Sequence, residues 1–173
     1  MPQRHAPKLL EVLESLDSRA FDASVWRHMF AENHPSRAND LGARWNPPGV
    51  PAIYCSLNRA TARAEGDHLV SIQSLPPTAD RSIYEIHVRL RRVLDISTDS
   101  ALSDLGLTLE KISSNNFTVC QRIGDAAEWL EHDGIIVPSA RHSGSNLVIF
   151  PRNQGADSVF EVKKREVIKR ATR

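Results

Sequence analysis

With 173 residues, 40% of them hydrophobic and 25% charged, the chain has the size of one domain with one core, and its composition excludes global disorder. Its 22 Lys and Arg stand against 21 Asp and Glu, a formal net charge of +1, so wholesale attraction to nucleic acid is not expected. Cys55 and Cys120 are too sparse for a disulfide framework, and the lack of an apolar leader or a membrane-length run predicts a cytoplasmic protein.

From Pro7 onward, Leu9, Leu10, Leu13 and Leu16 recur at helical spacing, which predicts an amphipathic opening helix. Alternation across 24–30 predicts a half-buried strand with Arg27 and His28 on opposite faces. Residues 33–51 keep no period and contain Pro35, Gly42, Pro47, Pro48, Gly49 and Pro51. They read as a long structured loop, of a kind that compact domains use to bind or cover something. A short strand over 52–56 follows, then an alanine-rich helix over roughly 58–70, capped by Asn58 or Ser56 and carrying Glu65.

The clearest alternation runs over 82–90, where one phase groups Tyr84, Ile86, Val88 and Leu90 and the other runs through Ile83; residues 93–96 form a brief continuation. Asp99 is placed to cap a short helix ending at Gly106, with a second short helical piece over 107–112. Val119, Ile123, Ala127 and Leu130 predict a helix over 118–131, stopped by Asp133-Gly134. Buried strands are expected at 135–137 and 146–150, and a final strand at 159–162. Beyond it, 163–173 holds six basic residues and one acid, Glu166: a solvated, frayed end, or a surface for an anionic partner. Neither a repeat nor a linker interrupts the chain, so 1–173 is read as a single domain.

Standard dinucleotide, P-loop, zincin and hydrolase-elbow motifs are absent. His28, His34, Asp67 and His68 match no metal-site spacing, and no metal is expected. What remains is a set of separated polar residues. Arg27 interrupts an apolar strand and must reach solvent, pair with a carboxylate or receive an anionic ligand. Arg44-Trp45-Asn46 offers a guanidinium for phosphate, an aromatic face and an amide; alternatively, Trp45 pins the loop and Asn46 turns it before Pro47. Tyr54 and Ser56 share one side of their strand. Glu65 is either a solvated helix carboxylate or, if it faces the Arg27 strand, a group that stabilises developing positive charge or holds a sugar hydroxyl. Ser139 stands just past a buried strand, as a ligand contact or a turn former, with no histidine and acid placed to make it a nucleophile.

Taken in order, Trp26-Arg27, Gly42-Ala43-Arg44-Trp45-Asn46, Gly49, Ile53-Tyr54-Cys55-Ser56, Glu65, the run 134–141 and the run 146–150 resemble the RES domain, a toxin family of bacterial toxin-antitoxin pairs named for an arginine, a glutamate and a serine. The resemblance implies an α+β fold like that of ADP-ribosyltransferases, a mixed β-sheet core of two small packed sheets flanked by helices. It places the catalytic residues at Arg27, Glu65 and Ser139, and the NAD contacts at Arg27, Arg44, Tyr54, Asn46 and Ser56. NAD is then the substrate, cleaved at its nicotinamide-ribose bond with water or phosphate as acceptor, or used to modify a protein. Arg27 and Arg44 would meet the pyrophosphate, Tyr54 the nicotinamide, and Glu65 the ribose; Ser139 would orient a ribose, the nicotinamide amide or Glu65 itself. The implied partner is an antitoxin with an Xre-type helix-turn-helix region, with DNA bound only through it and a homodimer within the larger complex. His28 stands where several members carry tyrosine. A reading of another class is a noncatalytic nucleic-acid-binding module that uses Arg89, Arg91, Arg92 and the basic terminus.

Overall fold

The computed structural model describes residues 4–31, 33–73 and 80–169. In chain order its elements are α1 (Pro7–Ser15), β1 (Ser18–Phe30), β2 (Ile53–Ser56), α2 (Arg59–Ser71), β3 (Arg81–Asp95), α3 (Asp99–Asp104), α4 (Leu109–Ser113), α5 (Thr118–Trp129), β4 (Gly134–Pro138), β5 (Ser145–Ile149) and β6 (Val159–Ile168). The fold is a mixed α+β arrangement built on one sheet, in the order β1-β2-β5-β4-β3-β6, with β1 also paired to β3.

That extra pairing closes β1, β2, β5, β4 and β3 into a ring, which replaces the expected two small packed sheets. The reason is the length of β3. Its 15 residues pair with β1 along one edge and, along the other, first with β6 and then with β4. Only the β3–β4 pair is parallel, as the long crossover through α3, α4 and α5 requires.

Alternate residues of the ring strands, Val25, Ile53, Cys55, Ile86, Val88, Leu90, Val93, Ile136, Leu147 and Ile149, converge in one buried cluster. The opposite set, including Leu94, Ile135, Val137 and Val148, packs under Leu13 of α1, Ile112 of α4 and Ile123 of α5. Of the two phases read in 82–90, the one through Tyr84 and Ile86 faces the ring interior, while Ile83 packs with Ala62 of α2, Ile168 of β6 and the half-buried Trp26.

The two pieces expected at 82–90 and 93–96 are one strand with a bulge. Phe21 stands opposite Leu90 and Arg19 opposite Val93, so Arg91 and Arg92 together face a single residue. The extra residue shifts the alternation, which turns both Leu90 and Val93 inward. The wholly buried Asp133 holds the bulge: its Oδ2 accepts from the backbone N–H of Arg91 at 2.6 Å and of Arg92 at 3.3 Å.

The final strand is also longer than expected. Residues 163–168, read as part of a frayed basic end, are hydrogen-bonded along β3, with Ser82 opposite Val167 and Arg81 opposite Ile168. Both faces of β6 are open to solvent over 161–165, which accommodates its charges, while Ile168 is buried at its end. The last residues of that basic segment, 170–173, lie outside the described residues. At the helix starts, Asn58 caps α2 by accepting from Thr61 N at 2.8 Å, and Thr98 rather than Asp99 caps α3.

Candidate active site

A cavity of about 950 Å³ opens between β1, the 33–51 loop, α2 and the start of β5. Two close approaches set its walls. Gly66 on α2 lies against the His28 ring of β1: a Cβ there would stand 2.4 Å from His28 Cδ2. Gly124 on α5 lies against the loop backbone, where a Cβ would stand 1.7 Å from the Trp45 carbonyl oxygen. Any larger residue at either position would push apart the elements that frame the cavity.

The loop wall is pinned from beneath. Tyr54 donates its hydroxyl hydrogen to Asn46 Oδ1 at 2.6 Å and accepts from Trp45 N at 2.9 Å. Asn46 Nδ2 donates to the carbonyls of Val50 at 2.7 Å and Asn39 at 3.1 Å. Burial drives the Tyr54 phenol well above its ordinary value, so it remains a neutral donor. Asn46 is fully buried and does not line the cavity; Tyr54 lines it with its ring while its hydroxyl holds the loop.

Arg44 projects from this wall. Its Nη1 donates to the carbonyls of Ile112 and Ser114, the latter at 2.7 Å, and its guanidinium lies 4.4 Å from the centre of the Phe117 ring. Arg141 also lines the cavity, and its side chain makes no hydrogen bond or ion pair with any described residue. Burial, reinforced by the like charge of Arg141, holds Arg44 below the ordinary arginine value.

Arg27 enters from β1 and donates to the carbonyls of Pro35 and Arg37, the second at 2.9 Å. Burial lowers its pKa, but an arginine stays charged at neutral pH. Its donors thus fasten the 33–51 loop at the cavity edge, and no carboxylate among the described residues pairs with it. His28, on the other face of β1, is equally occupied. Its Nε2 accepts from Arg81 Nε at 2.8 Å, and burial followed by that arginine's charge pushes its pKa down to about 4.

Glu65 lines the cavity from α2. Its Oε1 accepts from Ser139 Oγ at 2.6 Å and from Asn146 Nδ2 at 2.8 Å, while Oε2 accepts from no described residue. Ser139 in turn accepts from the backbone N–H of Arg141 and of His142, both at 3.1 Å. Ser139 is buried behind Glu65 and does not line the cavity itself. Asn146 Oδ1 accepts from Ser56 Oγ at 2.8 Å.

The structure therefore brings Arg27, Arg44, Tyr54, Ser56 and Glu65 to one cavity, with Ser139 and Asn46 in the layer behind it. Sequence reasoning missed Asn146 and Arg141. The signal for Asn146 was a lone amide heading the apolar run 146–150; for Arg141 it was a basic residue two positions after Ser139.

The family model described as RES domain matches residues 18–169, which spans every element from β1 to β6. The chain belongs to the RES domain family. Over 119 residues this RES domain is 33% identical to proteins named NAD(+) phosphorylase MbcT, from Mycobacterium bovis and Mycobacterium tuberculosis, a match covering 65% of the chain and 62% of theirs. The fold is also that of a chain in the crystal structure of the M. tuberculosis MbcT-MbcA toxin-antitoxin complex. The TM-score is 0.81 at 21% identity, over 94% of this RES domain and 93% of that chain.

Proposed function

We propose that the protein is a toxin that cleaves the nicotinamide-ribose bond of NAD, with inorganic phosphate as the first-choice acceptor and water as the other. The observation that carries this reading is the Glu65 carboxylate, fixed through Oε1 by Ser139 and Asn146 and presenting Oε2 to a cavity of about 950 Å³ with Arg27 and Arg44 at its edges. That volume is at the upper end of the ~300–1,000 Å³ usual for small-molecule sites, in keeping with a dinucleotide.

As the C–N bond breaks, its electron pair leaves with nicotinamide and neutralises the pyridinium. Positive charge then develops on the ribose. A carboxylate held in place beforehand stabilises that charge more in the transition state than in the bound substrate. Arg44 keeps Nε and Nη2 free of protein partners among the described residues, and Arg141 keeps its whole guanidinium, so both suit phosphate oxygens. The name of the mycobacterial relatives, NAD(+) phosphorylase, supports phosphate as acceptor.

The reading extends to an ADP-ribosyltransferase-like fold, residence in the cytoplasm, and a second copy within a larger complex. It includes an antitoxin partner, supported by the MbcT-MbcA complex, with an Xre-type helix-turn-helix region through which DNA is reached. The nucleic-acid-binding alternative is less well supported. Arg89 is engaged with Asp22 at 3.1 Å, Arg92 with the carbonyls of Leu130 and Glu131, and Lys163 with Glu161 at 2.8 Å.

The test is incubation of the purified protein with NAD, with and without phosphate, following nicotinamide release. Release that phosphate accelerates, with ADP-ribose 1-phosphate as product, is expected. No release by folded protein under either condition overturns the reading, and transfer of label from NAD to a cellular protein selects the transferase chemistry instead.

A further inference from the structure

We infer that Asn146 is a positioning residue for Glu65, and that Ser56 braces the amide with which it does so. The inference rests on the NAD-cleavage reading and deepens it, because it identifies what decides which carboxylate oxygen meets the substrate.

Asn146 is the second residue of β5. It stands opposite Ser56 of β2 on one side and Val137 of β4 on the other, and Ser56 in turn joins β2 to β1, opposite Trp26. Three strands thus fix the backbone of the amide. A side-chain amide so placed still has two orientations that differ by exchange of oxygen and nitrogen. The network selects one. The Glu65 carboxylate, which can only accept, takes Nδ2 on Oε1 at 2.8 Å, and Ser56 Oγ, with Ser56 only 4% exposed, donates to the Oδ1 thus turned toward it at 2.8 Å and braces the amide. The reversed amide would set its carbonyl oxygen against a carboxylate oxygen at that distance, a repulsive contact between two acceptors.

With Ser139 donating from the other side at 2.6 Å, Oε1 holds two donors and is committed to the protein. Oε2 is the oxygen left to the cavity. Ser139 alone would leave the carboxylate free to pivot about a single hydrogen bond. Asn146 supplies the second point, and two points fix both the plane of the carboxylate and the oxygen it offers. Glu65 sits on α2, whereas both of its donors come from the strand ends around the β4–β5 turn, so this pair of bonds also ties the helix to the sheet at the reaction centre.

A residue acting in this way changes turnover rather than substrate affinity. The experiment measures kcat and KM for nicotinamide release from NAD, together with thermal melts, for the parent protein, Asn146→Ala, Ser56→Ala, the double variant and Glu65→Gln. A misplaced carboxylate lowers kcat by about 10- to 100-fold in Asn146→Ala while KM stays within about threefold. Ser56→Ala gives a smaller drop, about fivefold, and adds nothing to kcat once Asn146 is alanine. If Asn146→Ala does not fold, the drop in Ser56→Ala carries the test alone. Retained kcat in a folded Asn146→Ala, beside an inactive Glu65→Gln, overturns the inference while leaving the reaction standing. So does a rise in KM without a fall in kcat, or a Ser56→Ala effect that adds fully in the double variant. An inactive parent protein overturns the reaction and this inference with it.

Discussion

Replacing Gly124 with alanine perturbs the site from behind. The new Cβ would stand 1.7 Å from the Trp45 carbonyl oxygen and 2.8 Å from its carbonyl carbon, so α5 and the loop must part by roughly 1.7 Å to regain ordinary contact. The obstacle is backbone and no side-chain rotation relieves it. The loop is also held by Tyr54 and Asn46, by Gln121 Nε2 donating to the Ala43 carbonyl at 2.9 Å, and by Arg44 on the Ile112 and Ser114 carbonyls. Overpacking of this kind costs about 3 kcal/mol, against which alanine returns about 1 kcal/mol of helix propensity. The net loss of about 2 kcal/mol lowers the melting temperature by roughly 4–8 °C for a domain of this size. Because Arg44 moves with the wall, kcat/KM for NAD falls by about tenfold or more. Circular-dichroism melts and a nicotinamide-release assay read both quantities. A melting temperature at or above that of the parent, with kcat/KM unchanged, would refute the argument that this contact sets the wall.

Arg44→Lys keeps the charge but cannot bond two carbonyls, stack on Phe117 and face a ligand at once; KM for NAD rises about tenfold, and an unchanged KM contradicts the role. Half-buried His28 and buried His132, each beside an arginine, have pKa values pushed from 6.5 down to about 4. The unfolded chain takes up these protons near the ordinary value, whereas the folded chain does not until far lower. Stability is therefore full above about pH 6.5 and declines toward about pH 4, seen as a lower urea midpoint at about pH 5 than at about pH 7.5; equal midpoints contradict it. Deleting 163–173 removes most of β6 and the buried Ile168, so the truncated chain loses its cooperative melt; a normal melt would show that β6 is dispensable.

The parts of the fold that the sequence announces are those with local causes. The prolines and broken period of 33–51 mark a loop, Asn58 marks a helix start, and the alternation of 82–90 marks a strand. The misreadings share a different cause. Arg91 and Arg92 break the alternation of β3 because a bulge held by the distant Asp133 adds one residue there. Residues 163–168 lack an apolar phase because successive residues of β6, 161–165, are exposed on both of its faces. At the site, Arg27, Arg44, Tyr54 and Glu65 were visible as polar residues in places that need explaining. Their contacts were not visible: Glu65 and Ser139 are 74 positions apart, and Glu65 and Asn146 are 81 apart. Asn46 illustrates the limit of local reading, since a ligand contact and a loop pin looked alike until its amide was found spanning the loop beneath the cavity wall.

In the proposed reaction the carboxylate fixed by Ser139 and Asn146 carries the cleavage of NAD. Single-turnover nicotinamide release by the parent protein and by Glu65→Gln, matched in melting temperature and supplied with phosphate, tests it most directly. Loss of the anionic charge at that position lowers the rate by about 100-fold or more with binding of NAD retained. Equal rates in the two proteins would contradict the account.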